Sequence, residues 1–129
     1  MKYLGIDYGS KRIGLAVSDE GETIAFPKIV LKNSPKTLDE MKVFIKENEI
    51  SKIVIGESKN YKQEYNLIMK EILDFKKILE KEFGLDAVLH SEVLTSSQAE
   101  QIQGKNDMID ASAAAIILQS YLDLIKNKK

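Results

Sequence analysis

The stretch Gly5-Ile6-Asp7-Tyr8-Gly9-Ser10-Lys11-Arg12-Ile13-Gly14 decides the fold of this chain. Apolar, β-rich runs lie on either side of it, Lys2 to Asp7 and Arg12 to Ser18, and Tyr8-Gly9-Ser10-Lys11 joins them. Gly9 is free to take the positive φ that tight turns often demand. The expected structure is a hairpin whose first strand ends in a carboxylate. An acid that closes an apolar strand is costly unless it meets a partner, which makes Asp7 the first candidate functional residue.

Working outward, Thr23 to Leu31 predicts a third strand, and Pro27 within it cannot donate to a ladder, so an edge strand or a bulge is expected. Asn33-Ser34-Pro35 predicts a helix start with Ser34 as N-cap and Pro35 at the first helical position. Leu38, Met41, Phe44 and Ile45 then mark its apolar face, and it should end near Glu49. Lys52 to Gly56 is a short, continuously apolar run, as expected of a central parallel strand covered on both faces. Leu67, Ile68, Ile72, Phe75, Ile78, Leu79 and Phe83 trace a long amphipathic helix that Gly84 should stop.

Ala87 to His90 predicts another buried strand. Thr95-Ser96-Ser97-Gln98 is spaced as a capping box for a short helix, broken at Gly104-Lys105-Asn106. Asp107 should cap a last helix that runs to about Ile125, with Ala-rich early turns that permit close packing. The order β-β-β-α-β-α-β-α-α predicts an α/β fold with a mixed sheet of five strands, three antiparallel and then two parallel, flanked by helices. At 129 residues, the expectation is one domain over 1–129.

Composition bounds the function. With no cysteine, the chain has no disulfide scaffold, thiolate zinc site or cysteine nucleophile, which suits a cytoplasmic setting. No apolar run approaches the roughly 20 residues that span a bilayer, and Met1-Lys2-Tyr3 enters a strand rather than a signal peptide, so no membrane partner is expected. The formal net charge is −1, so a surface for nucleic acid must be local. Arg12 is the only arginine, and arginine is the residue that grips phosphate with two parallel bonds.

Three acids sit where elements begin or end: Asp7 after the first strand, Glu92 past the last strand, and Asp110 in the opening turn of the last helix. Ligands of open sheets collect at the carboxyl ends of parallel strands, and neighbouring strands would bring Asp7 and Glu92 close there. Crowded carboxylates repel one another unless a cation lies between them, and hard ions such as Mg²⁺ or Mn²⁺ prefer such oxygen ligands. Two such ions roughly 4 Å apart would suit phosphodiester cleavage without a histidine or serine nucleophile. Lys11, Arg12, Lys59, Lys62 and Lys105 lie in or beside predicted loops and are the candidate nucleic-acid contacts. His90 is expected to be hydrogen-bonded and structural, Asp19 a turn acid and Asp107 a helix cap.

The segments GIDYGSKRIGLAVSD, IVIG, SEVLTSSQAE and DASAAAIILQSYLD, in this order over nearly the whole chain, resemble the YqgF family, also called RuvX. That resemblance implies an RNase H-like fold and magnesium-dependent nuclease activity. The implied task is processing of the 5′ end of the 16S rRNA precursor in ribosome biogenesis, or resolution of branched DNA. It matches Asp7, Glu92 and Asp110 to the family's three acids. Three departures stand out: Ser91-Glu92-Val93 where the family usually has Asp-Glu-Arg, Gly56-Glu57-Ser58 where it has Gly-Leu-Pro, and a shorter, less basic segment from Gln103 to Asn106. Glu57 is thereby either a further ligand or a solvated acid. The alternative function is a non-catalytic RNA-binding assembly factor that keeps the fold. A third reading takes Asp7-Tyr8-Gly9-Ser10 for the phosphate loop of actin-like ATPases, which close two such domains around a nucleotide. End trimming suits a monomer, and symmetric junction cutting a weak homodimer.

Overall fold

The computed structural model describes residues 1–57, 62–91 and 109–127, except for the side chains at 62–67, 91, 109, 110 and 127. Three strands open the chain: β1 (Lys2–Tyr8), β2 (Arg12–Ser18) and β3 (Ala25–Lys32). They are followed by α1 (Thr37–Glu47), β4 (Ile50–Glu57), α2 (Lys62–Phe83), β5 (Asp86–Ser91) and α3 (Ile109–Asn127). The strands form one sheet in the order β3-β2-β1-β4-β5. β1 pairs antiparallel with β2, and β2 with β3, whereas β1 with β4 and β4 with β5 are parallel. This is the mixed five-stranded sheet expected from the sequence.

Residue alternation along each strand divides the core between the two faces. Leu4, Ile6, Ile13, Leu15, Ile53 and Ile55 face α1 and α2, where they meet Met41, Ile45, Ile72, Phe75 and Leu79. Tyr3, Ala16 and Val54 face α3, where they meet Ala114, Ile117, Leu118 and Leu122. The α3 face is thin. A Cβ on Gly5 would lie 2.7 Å from the Leu118 Cβ and 2.9 Å from the Ala114 carbonyl, and one on Gly56 would lie 2.5 Å from Ile117 Cδ1. The helix therefore rests on the strand backbone itself, as the Ala-rich turns suggested.

β3 meets the expectation set by Pro27 on both counts, as an edge strand with an irregularity in which Leu15 pairs with Ile29 but Ala16 with Pro27, so Lys28 is the extra residue. The structure corrects several other local expectations. The first helix begins at Thr37 rather than Pro35. Ser34 to Thr37 forms a turn, with Thr37 N–H donating to the Ser34 carbonyl at 3.0 Å and Lys36 N–H to Ser34 Oγ at 3.2 Å. Thr37 Oγ1 ties the turn to the sheet by accepting from Ser34 N–H and donating to the Lys32 carbonyl at 2.7 Å. The same helix ends at Glu47, and Glu49 takes φ 53° just beyond it.

Gly9 is not needed for a positive φ, because Gly84 is the only described glycine with one. Gly9 is required by space, since a Cβ there would meet the Arg12 carbonyl oxygen at 2.6 Å. The strand containing Ala87 to His90 is an edge strand, in which Ala87 alone is buried among the described side chains. The predicted short helix after Thr95, its break at Gly104 and the Asp107 cap lie outside the described residues. Among the described residues, no helix is long and apolar enough to cross a membrane.

Candidate functional site

Asp7 is the penultimate residue of β1 and pairs with Gly14 of β2. Ile6 belongs to the α1/α2 core, so alternation assigns Asp7 to the α3 face with Gly5 and Tyr3. Tyr8 belongs to the opposite face, where its ring lies 4.9 Å from that of Phe75 and its hydroxyl donates to Glu71 at 3.4 Å. Burial pushes the Tyr8 hydroxyl pKa up, and Asn33 partly opposes that rise.

The path of α3 places its opening turn level with Asp7. Tyr121 lies 6.0 Å from the Tyr3 ring, whereas Gly5 sits between Ala114 and Leu118, so α3 runs toward its own N-terminus as β1 runs toward Asp7. The next two strand residues advance about 6.6 Å, or about four residues of helix, which brings the turn spanning 110–114 opposite Asp7. The backbone of Asp110 thus stands at the carboxyl edge of the parallel strands, on the face that carries Asp7.

Glu92 lies outside the described residues, and its strand is not the neighbour of Asp7's strand as the sequence suggested. β4 intervenes between β1 and β5. Asp7 and the end of β5 are therefore two strand spacings apart, roughly 10 Å. Glu57 closes the intervening strand and pairs with Ser91. Ile53 and Ile55 face α1 and α2, so alternation sends Glu57 to that same face, away from Asp7. Among the described residues, no three acids or histidines form a metal-binding group.

Of the basic candidates, Lys11 is exposed in the turn and Arg12 is exposed at the start of β2. Arg12 shares the α3 face with Gly14 and Asp7, because Ile13 between them is buried in the other core. Lys62 opens α2, just beyond the carboxyl end of β4, whereas Lys59 and Lys105 lie outside the described residues. His90 is half-buried and shares a 2.9 Å hydrogen bond with Ser120, the structural role expected of it.

Asn33 carries no mark of function in the sequence. Its backbone N–H donates to the Lys11 carbonyl at 2.9 Å and its side-chain Nδ2 to the Gly9 carbonyl at 2.9 Å. Asparagine after a strand reads as an ordinary helix-start signal, so nothing local pointed to this contact across 24 residues. A pocket of about 260 Å³ lined by Tyr8, Asn33, Thr37, Glu71, Asp74 and Phe75 lies on Tyr8's side of the sheet, not Asp7's.

Comparison with known proteins agrees with this architecture. The model of the RuvX family, described as Holliday junction resolvase, matches residues 1–124. A Desulfitobacterium hafniense protein named "Putative pre-16S rRNA nuclease" is 35% identical over 136 residues, covering 99% of this chain and 96% of that protein. A Thermoanaerobacter pseudethanolicus protein of the same name is 32% identical over 139 residues, covering 99% of this chain and 100% of the relative.

Among solved structures, T. thermophilus RuvC in complex with Holliday junction substrate superposes with a TM-score of 0.65 at 20% identity, over 98% of this chain and 96% of that one. The Fowlpox virus resolvase with its substrate Holliday junction DNA gives 0.58 at 12% identity, over 97% and 99%. These two structures establish a RuvC-like, RNase H-like fold. From the full-length family match and relatives above 30% identity, the chain belongs to the RuvX family.

Proposed function

We propose that this chain is a divalent-metal-dependent nuclease that hydrolyses phosphodiester bonds in structured nucleic acid. Its proposed task is processing of the 5′ end of the 16S rRNA precursor in the cytoplasm, with branched DNA as the competing substrate. The observation that carries the proposal is the convergence of Asp7 and the Asp110 turn at the carboxyl edge of the parallel strands, on one face of the sheet. The names of the relatives point to rRNA, and those of the structural neighbours to DNA junctions.

Asp7, Glu92 and Asp110 would hold magnesium or manganese, since an all-carboxylate set supplies the hard oxygen donors that these ions take. When bound, the metal stabilises charge on the phosphate and lowers the pKa of the attacking water. The remaining work falls to this chain's own groups. Arg12 and Lys11 meet substrate phosphates beside Asp7, and Arg12 can do so with two parallel bonds. Lys59, Lys62 and Lys105 are the further candidate phosphate contacts, in a chain of net charge −1 whose basic surface must be local. A monomer suffices for end trimming, and a weak homodimer for symmetric cutting of a junction.

The test is incubation of the purified protein with manganese or magnesium and either precursor rRNA or a four-way DNA junction. Metal-dependent cutting is expected, abolished by a chelator and lowered at least about a hundredfold by Asp7→Asn. Equal cutting by the variant overturns the assignment of Asp7. Metal-independent binding of uncut RNA replaces the nuclease with an RNA-binding assembly factor, the reading that Ser91 and Val93 favour where the family usually has Asp and Arg.

A further inference from the structure

The turn that carries Lys11 and leads into Arg12, the first residue of β2, is held from outside the hairpin. Gly9 to Lys11 is tight, with no room for a Cβ at Gly9, and the strand ladder resumes at Ile13 opposite Tyr8. Asn33, one residue beyond β3, closes over it with two bonds of 2.9 Å. The side-chain amide takes the Gly9 carbonyl and the backbone amide the Lys11 carbonyl, so both ends of the exposed turn are fixed by a single residue. Asn33 is itself held in place. Ser34 N–H donates to Thr37 Oγ1, and the Thr37 hydroxyl donates to the Lys32 carbonyl, so the segment on both sides of Asn33 is tied down. Beneath the turn, Tyr8 is fixed on Phe75 and Glu71 of α2.

We propose that Asn33 is a positioning residue for substrate binding, one that acts through the Gly9–Lys11 turn to aim Lys11 and Arg12 at the nucleic-acid backbone. This rests on the nuclease reading above. Long basic side chains on a free turn lose conformational entropy when they grip phosphate, and a turn held in place beforehand reduces that cost. Asn33 acts on the turn's carbonyls and lines the pocket on Tyr8's side of the sheet, so its loss should weaken binding and leave the chemical step alone. The side-chain bond needs a donor, which aspartate, of the same shape, lacks.

The experiment compares wild type, Asn33→Ala and Asn33→Asp in metal-dependent cleavage and in nucleic-acid binding across a salt series. Both variants should raise KM about tenfold, the loss of one hydrogen bond's worth of ordering, with kcat within about twofold. The slope of log Kd against log salt should fall by about 1 as one phosphate contact is lost, a change that mere destabilisation would not produce. Hydrogen exchange supplies a readout independent of activity, since the amide at position 33 should exchange faster in both variants while β1 and β2 amides stay protected. Unchanged KM, salt slope and exchange in variants of a wild type that cuts overturn the role of Asn33 and leave the nuclease reading intact. A wild type that neither binds nor cuts overturns both.

Discussion

The two faces of the sheet are built on different principles. Against α1 and α2, large side chains interdigitate: Leu4, Ile6, Leu15, Ile53, Ile55, Met41, Ile72 and Leu79 are all fully buried. Against α3, the strands set Gly5, Ala16 and Gly56 among Tyr3 and Val54, and the helix presses Ala114, Ile117 and Leu118 onto them. A layer of large side chains can repack when one of them shrinks, whereas a helix seated directly on glycine backbone leaves little slack. The rigid face is the one that carries Asp7 and the opening turn of α3, so the close approach fixes where Asp110 starts. Stability resides mainly in the first layer and geometry in the second.

The contrast breaks most sharply at the acid itself. Asp7→Asn should abolish measurable cutting, a loss of at least about a hundredfold in a metal-dependent assay. Next come two substitutions of similar cost to stability, one in each layer. Leu79→Ala should destabilise by about 3 kcal/mol through its cavity, and Gly5→Ala by about 2–3 kcal/mol through its clash with Leu118 and Ala114. Urea unfolding measures both losses. Assayed well below the unfolding midpoint, Leu79→Ala should cut at the wild-type rate, whereas Gly5→Ala should lose roughly tenfold or more because α3 must move. Equal activities in the two variants would dismiss the division between the faces.

Much of this contrast was legible in the sequence. Strand runs, helix stripes and the Gly84 stop follow from periodicity and local chemistry, and the element order carried the mixed sheet with it. The Ala-rich start of the last helix announced close packing, although nothing in it named Gly5 and Gly56 as the partners. Strand order was less accessible: β4 lies between β1 and β5, so Asp7 and the Glu92 segment are not on neighbouring strands, and no local pattern encodes that insertion. Asn33 was invisible for a related reason. Its two bonds join residues more than twenty positions apart, and its own neighbours, Ser34 and Pro35, resemble a helix cap although the helix starts later. Glu57 carried the same signal as Asp7, an acid closing an apolar strand, and only the parity of Ile53 and Ile55 separates the two.

A smaller effect probes the rigid face from within. Ser112, 2% exposed near the start of α3, has a buried hydroxyl without a hydrogen-bond partner among the described residues. Alanine removes that unsatisfied group and is the better helix former, so Ser112→Ala should stabilise the protein by about 1 kcal/mol. The urea midpoint should rise with the slope unchanged. A lower midpoint would mean that the hydroxyl has a partner worth keeping, and that the α3 face is less purely steric than its glycines and alanines indicate.

The smallest effect concerns an acid far from Asp7 along the sheet, and it separates structural from functional carboxylates. Asp19 follows β2, and its Oδ1 accepts the Thr23 and Ile24 amides at 2.7 and 3.0 Å. Those backbone bonds, Ile24's first, hold its pKa below the ordinary value. A depressed folded-state pKa contributes stability that is complete above the unfolded value, about 3.9, and is lost as pH falls through the folded one. Asparagine keeps an accepting oxygen but no charge. Wild type should therefore melt slightly above Asp19→Asn at neutral pH, and the gap should close as pH drops below about 4. A gap that stays constant down to about pH 2.5 would show that the charge on Asp19 is immaterial. Cutting at neutral pH should be equal in the two proteins, because Asp19 serves the turn whose Thr23 and Ile24 amides it accepts, at the opposite end of the sheet from Asp7.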